Sequence, residues 1–236
     1  MSSTAGLLLA AGIAYLLGGI PSGLWIGRMA RGVDVRQHGS GNLGATNVYR
    51  TLGPRLGLTV LLLDAAKGVA AVLITRALVP SQPLASGLIG MVGSFFGHMF
   101  TPFAGFRGGK GVATAAGAWA ALVPFGLLTA LVTWIVLFAT TRLVSLASVC
   151  ASIVLPIAVW GFGHRSPADP FLWLSILTAV FIVVRHRSNL GRLKRGEESR
   201  LAVRGSTDGG SKSTPPVGAP KSTPPVGAPP QGRKGS

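Results

Sequence analysis

Cysteine and acidic residues are scarce in this chain of 236 residues. Its single cysteine, Cys150, excludes an internal disulfide and a cysteine-based metal site. Six Asp and Glu residues stand against 22 Lys and Arg residues, which gives a formal net charge of +16 at pH 7. Charged residues make up only 12% of the chain, against about 25% in average soluble domains. Because 48% of the residues are hydrophobic, this balance predicts a membrane protein.

The excess of positive charge admits three classes of partner, namely nucleic acid, anionic lipid and an anionic small substrate. The basic residues flank long apolar runs and do not cluster on a polar domain, which disfavours nucleic acid. We therefore expect membrane lipids and an anionic substrate as partners, and no nucleic acid. The loops also lack a Ser-His-Asp set, a pair of carboxylates and a cluster of His, Asp and Glu, so we expect no metal and no cofactor.

Apolar runs of about 20 residues, the length of a membrane-spanning helix, recur along residues 1–200. The runs are 5–27, 56–79, 84–102, 111–140, 143–162 and 169–184. The run 111–140 is too long for one comfortable span, and Pro124 near its middle predicts a break into two helices. The sequence therefore predicts an all-α, polytopic transmembrane bundle of seven spans.

Basic residues near the span ends test this number, because Lys and Arg prefer the cytoplasmic side of a membrane. They form four groups. The groups are Arg28, Arg31, Arg36, Arg50 and Arg55; Arg107 and Lys110; Arg142; and Arg185, Arg187, Arg192, Lys194 and Arg195. Seven spans place all four groups inside, with the N-terminus outside and the C-terminus in the cytoplasm. Arg76 and Arg165 are then the exceptions left outside.

Residues 201–236 differ from the apolar part in composition. They are rich in Gly, Pro, Ser and Lys, and the segment KSTPPVGAP occurs at 212–220 and again at 221–229. Such a segment cannot bury a core, which predicts a disordered tail after a membrane domain of residues 1–200. A weak electrostatic contact with anionic lipid is the functional alternative for this tail.

A loop rich in glycine and small polar residues, residues 39–47, follows the first span. Glycine lets backbone N–H groups turn inward towards an anion, and the nearby Arg50 can bind phosphate oxygens through two parallel hydrogen bonds. An ordinary polar turn between helices is the alternative. The residues predicted to bind phosphate here are Ser40, Gly41, Asn42, Thr46, Asn47 and Arg50.

A second glycine-rich loop, residues 106–111, holds Lys110 just before a predicted helix. A helix N-terminus favours an anion, and Lys110 adds a positive charge. The P-loop spacing is absent and no strand precedes the loop, so this is not a nucleotide-binding loop of that class. We assign Gly108, Gly109, Lys110 and Gly111 to phosphate binding. Arg107 is either part of this site or a cytoplasmic anchor, and His98 is expected to be structural.

A third basic segment, residues 185–192, follows the last apolar run. A cluster that stops membrane insertion would explain its arginines, but not His186 or Asn189. A histidine beside several cations should have a lowered pKa, so it can be neutral and act as a hydrogen-bond donor or a base. His186, Asn189 and Arg192 are therefore candidate site residues. Ser145 and Ser148 begin another helix, where serines are usually caps.

Asp64 and Lys67 stand three residues apart within an apolar run, on one face of a helix. Ionisable residues inside a membrane are functional candidates by default, but we favour a structural ion pair that faces the bundle interior. Gly93 and Gly97 predict close packing of two helices. Tryptophans near the predicted span ends are expected to anchor the chain at the membrane surface. They are Trp25, Trp119, Trp134, Trp160 and Trp173.

Taken in order, these segments resemble the bacterial acyl-phosphate:glycerol-3-phosphate acyltransferase family of the cytoplasmic membrane. The matching residues are 39–47 with Arg50, Gly97 and His98 with 108–114, 145–148, and His186 with Asn189 and Arg192. The resemblance covers about residues 5–200 and implies seven spans with the active site at the cytoplasmic face. It also implies transfer of a fatty acyl group from acyl phosphate to glycerol 3-phosphate. The product would be lysophosphatidic acid, formed without a metal or an acyl carrier protein.

The resemblance further implies roles for single residues. Ser40, Lys110, His186 and Asn189 become catalytic candidates, and Arg50 and Ser148 become substrate-binding candidates. Arg107 stands where the family usually has Lys, which keeps the charge, and nothing functional transfers to the tail. Because acyl phosphate is already activated, such a site need only position two anions and stabilise oxyanion charge.

Overall fold

The computed structural model describes residues 3–163 and 166–202, and over these residues its regular secondary structure is helical. Ten α-helices follow one another along the chain. They are α1 (Ser3–Gly19), α2 (Ser22–Arg31), α3 (Ala45–Leu52), α4 (Pro54–Leu78), α5 (Pro83–Met99), α6 (Val112–Leu122), α7 (Pro124–Thr141), α8 (Val144–Gly161), α9 (Pro170–Arg185) and α10 (Arg187–Lys194). Short 3-10 turns cover Val35–Gln37 and Pro102–Ala104. The predicted disordered tail lies, past residue 202, outside the described residues.

Within the part of the chain that the structure describes, five helical segments are long and apolar enough to cross a membrane. They are Thr4–Arg31, Pro54–Leu78, Pro83–Ala104, Pro124–Thr141 and Val144–Gly161. A sixth appears within the described residues if α9 and α10, which meet at 57°, are taken as one span. The predicted span in the first half of the run 111–140 corresponds to α6, whose 11 residues extend only about 16 Å, about half the thickness of a hydrocarbon core. Seven spans and the orientation of the termini therefore remain predictions.

Two prolines break apolar runs into separate helices. The break at Pro124 was predicted, and α6 and α7 confirm it. The span predicted over residues 5–27 is present as the segment Thr4–Arg31, but the sequence did not predict that Pro21 divides it into α1 and α2. Proline has no N–H to donate and disfavours helical geometry at the residue before it. The carbonyl of Ile20 instead accepts a hydrogen bond of 2.8 Å from Lys67 Nζ.

The predicted ion pair between Asp64 and Lys67 is present. Asp64 Oδ1 lies 2.9 Å from Lys67 Nζ, and both side chains are buried. Since the same ammonium group also binds the carbonyl of Ile20, the pair connects α4 to the break between α1 and α2. This geometry gives the pair a structural role, and Asp64 also lines a cavity of about 630 Å³.

Small residues let the helices approach closely. A Cβ added at Gly97 would overlap the carbonyl oxygen of Tyr15, and one added at Gly93 would overlap Ala14. These two glycines confirm the predicted close packing of α5 against α1. A Cβ at Gly117 would likewise overlap the carbonyl group of Ala65, so α6 lies directly against α4.

The short helix α6 is buried in the bundle, which corrects the expectation for Trp119. Its side chain is only 1% exposed and packs in a core with Val72, Met91 and Phe95. Trp119 is therefore a core residue and not an anchor at the membrane surface. The outer helices show the opposite pattern, since large apolar side chains such as Leu128 and Val136 of α7 remain exposed, as lipid contact requires.

Candidate active site

The three predicted loops meet at one cavity of about 630 Å³. Helices α4, α6 and α8 begin at this cavity and α7 and α9 end there, so it lies at one end of the bundle. One part of its wall is polar and carries Arg50, Lys110 and Arg192. Another part is apolar and includes Leu61 of α4 and Phe138 of α7. This division suits a ligand that joins an anionic group to a hydrocarbon chain.

Asn47 gives the first loop its shape. Its Oδ1 accepts a hydrogen bond of 2.8 Å from the backbone N–H of Ser40, and its Nδ2 donates to the carbonyls of Val35 and His38 at 2.9 and 3.1 Å. The side chain is buried and its polar atoms are occupied within the loop. Asn47 therefore acts by holding Ser40 at the cavity wall. This turn requires glycine at position 39 for two reasons. The φ of Gly39 is positive, and a Cβ there would overlap Asn47 Oδ1.

The second loop uses its glycines differently from the prediction. The N–H groups of Gly108 and Gly109 do not face an anion, because they donate to the carbonyls of Met99 and His98 at 3.0 and 3.1 Å. Their own carbonyls accept hydrogen bonds of 3.3 and 2.8 Å from Arg185. These two glycines therefore join the ends of α5 and α9. They place the next residue, Lys110, at the cavity.

Gly111 begins α6 at the cavity, beside Lys110. Its φ of +82° is in the left-handed region, and a Cβ there would overlap the ring of Phe95, so only glycine fits without strain. Val112 and Ala113, the first residues of α6, also line the cavity. Their backbone N–H groups have no partner within the helix and carry its positive dipole end, as the sequence predicted for an anion site.

Lys110 is a cation of the cavity whose pKa is lowered by its surroundings. Its Nζ donates a hydrogen bond to Asn189 Oδ1. Burial lowers the pKa of Lys110 to about 8; the carboxylate of Glu198 opposes this shift, and the cations Arg192, Arg50 and Arg185 add to it. The ammonium group is therefore charged at neutral pH but close to losing its proton.

His186 stands at the junction of α9 and α10 and is buried. Its Nδ1 lies 2.8 Å from the carbonyl oxygen of Ile182. Since a carbonyl can only accept, Nδ1 carries the proton and Nε2 keeps its lone pair. Burial, together with the positive charge of Lys110, lowers the pKa of His186 to about 4. The ring is neutral at pH 7, and Nε2 can accept a hydrogen bond or a proton.

The sequence model of the family named Glycerol-3-phosphate acyltransferase matches residues 8–196, which include nearly all of the helical part described above. The chain belongs to this family. Proteins named glycerol-3-phosphate acyltransferase are similar to it over most of their own length. The one from Anaeromyxobacter dehalogenans (strain 2CP-1 / ATCC BAA-258) is 44% identical over 197 residues, which cover 83% of this chain and 96% of that relative. The one from Geobacter sulfurreducens (strain ATCC 51573 / DSM 12127 / PCA) is 44% identical over 195 residues, 82% and 97% of the two chains.

Two solved structures share the fold of this glycerol-3-phosphate acyltransferase family member. Both are crystal structures of PlsY (YgiH), an integral membrane glycerol 3-phosphate acyltransferase. The glycerol 3-phosphate form has a TM-score of 0.76 and 39% identity, over 83% of this chain and 96% of that one. The lysophosphatidic acid form has a TM-score of 0.74 and 38% identity, over 83% and 95%. With the apolar helices described above, this likeness makes the chain a multi-pass membrane protein.

Most of the residues predicted for the site of this acyltransferase family member share the main cavity. They are Ser40, Asn42, Thr46, Asn47, Arg50, Lys110, Gly111, Ser148, His186, Asn189 and Arg192. Gly41 and Gly108 instead line a neighbouring cavity of about 430 Å³ with Arg107, while Gly109 packs against His98. Ser148, expected from the family resemblance, accepts a hydrogen bond of 3.1 Å from Trp134 Nε1.

Glu198 is a charged cavity residue that the sequence did not predict. It follows α10 and lies at the cavity, where its Oε1 accepts hydrogen bonds from Ser145 and Asn189 and its Oε2 accepts one from Arg192. Burial alone would raise the pKa of this carboxyl, but these hydrogen bonds outweigh burial and hold the pKa below its usual value. The signal available in the sequence was the rarity of acidic residues, since only six occur in the chain.

Proposed function

We propose that the protein transfers a fatty acyl group from acyl phosphate to the sn-1 hydroxyl of glycerol 3-phosphate. The products are lysophosphatidic acid and inorganic phosphate, and the reaction is the first step of bacterial phospholipid synthesis. The observation that carries the proposal is the single cavity in which Arg50, Lys110 and His186 meet an apolar wall. Family membership and the likeness to a structure named for its glycerol 3-phosphate form support the choice of acceptor.

The two substrates divide the cavity between them. Arg50 and Lys110 bind phosphate groups, and each charged hydrogen bond contributes about 1.5–3 kcal/mol. His186 and Asn189 orient glycerol 3-phosphate. The acyl chain lies along the apolar wall and enters sideways from the bilayer, because Leu58 and Leu61 of α4, a helix long enough to cross the membrane, are exposed and line the cavity.

The reaction needs no nucleophile from the protein. The hydroxyl oxygen of glycerol 3-phosphate attacks the carbonyl carbon of acyl phosphate, an ester bond forms, and the bond from that carbon to the phosphate oxygen breaks. The hydroxyl proton passes to Nε2 of His186 or to an oxygen of the departing phosphate. The N–H groups at the start of α6 and the ammonium group of Lys110 stabilise the developing negative charge.

The proposed setting is the cytoplasmic membrane of a bacterium, with the cavity on the cytoplasmic face. The four basic groups of the sequence supply the argument, because seven crossings put all of them on that side. Acyl phosphate and glycerol 3-phosphate would then reach the cavity from the bilayer and from the cytosol respectively. No cofactor enters the proposed reaction.

The decisive experiment offers purified protein a panel of acyl donors with glycerol 3-phosphate. We expect phosphate release and lysophosphatidic acid only with acyl phosphate, and only when glycerol 3-phosphate is present. Equal or faster transfer from an acyl thioester would overturn the proposed donor. Retention of a covalent acyl group on the protein would contradict direct transfer, and failure with every donor would remove the proposed function.

A further inference from the structure

Glu198 makes more polar contacts in the cavity than its place in the chain suggests. Its carboxylate is 3% exposed and receives hydrogen bonds of 2.9 Å from Ser145 Oγ, 2.6 Å from Asn189 Nδ2 and 2.8 Å from Arg192 Nε. The three donors come from α8 and α10. One carboxylate therefore holds the start of α8 to the helix that carries two of the predicted site residues.

The adjacent acidic residue shows that this arrangement is specific to one position. Glu197 is 56% exposed, and its Oε2 accepts a hydrogen bond of 2.8 Å from Arg195 Nε at the surface. Exposed pairs of this kind contribute little, about 0–1 kcal/mol. Glu197 therefore serves as a matched control for Glu198, since it differs in burial and partners but not in chemistry.

Backbone contacts keep the segment of residues 198–202 across the cavity wall. Arg50 Nη2 donates to the carbonyl of Ser199 at 2.7 Å, and the N–H of Leu201 donates to the carbonyl of Arg142 at 2.9 Å. Tyr49 of α3 donates to the carbonyl of Ala202 at 3.1 Å. The position of Glu198 is thus fixed from α3 and from the junction of α7 and α8, and does not depend on its own side chain alone.

We propose that Glu198 is a positioning residue of the acyl-transfer site, whose carboxylate orients Asn189 so that the amide oxygen of Asn189 faces Lys110. The donors and acceptors around Asn189 fix the orientation of its amide. Asn189 Nδ2 is turned towards Glu198, which leaves Oδ1 as the acceptor for Lys110 Nζ. An amide rotated by 180° would direct its NH₂ group at an ammonium group, so the acceptor on the Glu198 side decides the orientation.

Replacement of Glu198 by Gln would leave one donor facing another. The three groups around the carboxylate all donate, whereas a Gln side chain offers one acceptor oxygen and one NH₂ group. Whichever way that amide turns, its NH₂ faces either Arg192 or the pair formed by Ser145 and Asn189. One orientation breaks the hydrogen-bond chain from residue 198 through Asn189 to Lys110, and the other places the NH₂ group against the guanidinium group of Arg192.

The carboxylate also sets the charge around Lys110. The charged groups that act on this ammonium are Glu198, Arg192, Arg50 and Arg185, with His186 neutral beside it. Glu198 is the carboxylate among these groups, so its removal leaves Lys110 facing cations. The ammonium group then loses its proton at a lower pH, which a structural role of Glu198 far from Lys110 would not produce.

The test uses E198Q, E198D and the control E197Q in the full-length protein in detergent. Two readouts are measured, namely kcat/KM for glycerol 3-phosphate and the pH midpoint at which Lys110 reacts with an amine-specific reagent, found by peptide mass spectrometry. We expect E198Q to lower kcat/KM by about ten-fold or more, the effect of one lost charged hydrogen bond, and to shift the Lys110 midpoint to lower pH. E197Q should match the wild type in both.

The variant E198D distinguishes the effect of the carboxylate charge from the effect of side-chain length. It keeps the carboxylate but is shorter, so it should lose at least one of the three hydrogen bonds and about ten-fold in kcat/KM, with the Lys110 midpoint near that of the wild type. If E198Q does not fold, E198D is the deciding variant. A kcat/KM of E198D equal to that of the wild type would then overturn the inference. A wild-type Lys110 midpoint in folded E198Q would overturn it as well.

The inference rests on the proposed function, but the two can fail separately. Absence of turnover in the wild-type protein would refute the acyl transfer. The labelling midpoint of Lys110 in E198Q would still test whether Glu198 acts on Lys110. Normal turnover of E198Q in an active preparation would refute only the role of Glu198.

Discussion

We expect the wild-type enzyme to lose activity at alkaline pH. Replacement of Lys110 by Arg should abolish this loss. Burial lowers the pKa of Lys110 to about 8. In the proposed reaction the ammonium group binds a substrate phosphate below this pH, where it is charged, and above this pH the charge and the binding are lost together. An arginine keeps its charge to a pH above about 12, so K110R should hold its activity where the wild type declines.

The size of the effect follows from the fraction of charged lysine. kcat/KM reports the titration of the free enzyme, in which the pKa is about 8. At pH 9.5 roughly 3% of such a group is protonated, so wild-type kcat/KM should be up to about 30-fold below its value at neutral pH. K110A, which lacks the charge at every pH, should lose about 10- to 150-fold at pH 7, as expected for one charged hydrogen bond.

The assay measures lysophosphatidic acid formed from acyl phosphate and glycerol 3-phosphate between pH 6.5 and 9.5, about the range over which this lysine titrates. K194R is the matched control, because Lys194 is an exposed lysine of α10. Its pH profile should follow that of the wild type. If K110R declines above pH 8 as the wild type does, another group controls the alkaline limb and the role given to Lys110 is refuted.

Further predictions concern the base candidate and the packing of the bundle. H186A should lower kcat by about 10²- to 10⁴-fold, the usual contribution of a proton-accepting group, and undiminished turnover in steady-state kinetics would remove His186 from the chemistry. K67M should lower the free energy of unfolding by about 3–5 kcal/mol, because it leaves the carboxylate of Asp64 buried without its partner. The double variant D64N/K67M should lose less stability, and an equal loss would contradict the ion pair. G97A should cost about 1–3 kcal/mol in the same unfolding assay, because its Cβ would overlap a carbonyl of α1, whereas G12A, which meets no atom within 4 Å, is the matched control.

The sequence predicted one proline break and missed the other, although the chemistry of both is the same. Pro124 stood out because the run 111–140 was too long for a single span. Pro21 lies within a run of ordinary length, so the length of the run gave no reason to divide it. The partner that stabilises the break, Lys67, comes from a helix more than 40 residues later, and such a contact is invisible to local pattern.

The candidate site was predictable as a set of residues more than as a set of contacts. Lys110, His186 and Asn189 line one cavity, as expected from their loops. The use of the Gly108 and Gly109 amides could not be foreseen, since it depends on where α5 ends relative to this loop. Glu198 was missed because it follows the last predicted motif, in a polar stretch that carries no motif of its own and ends where the predicted tail begins.

The path of residues 198–202 has a practical consequence for the boundaries of an expressed protein. The family match ends at residue 196, and a chain trimmed there would retain every residue that the motifs identify. It would nevertheless lose the carboxylate between Ser145, Asn189 and Arg192, together with the carbonyl that occupies Arg50. An affinity tag fused directly after Ala202 would likewise emerge beside the cavity, next to Tyr49.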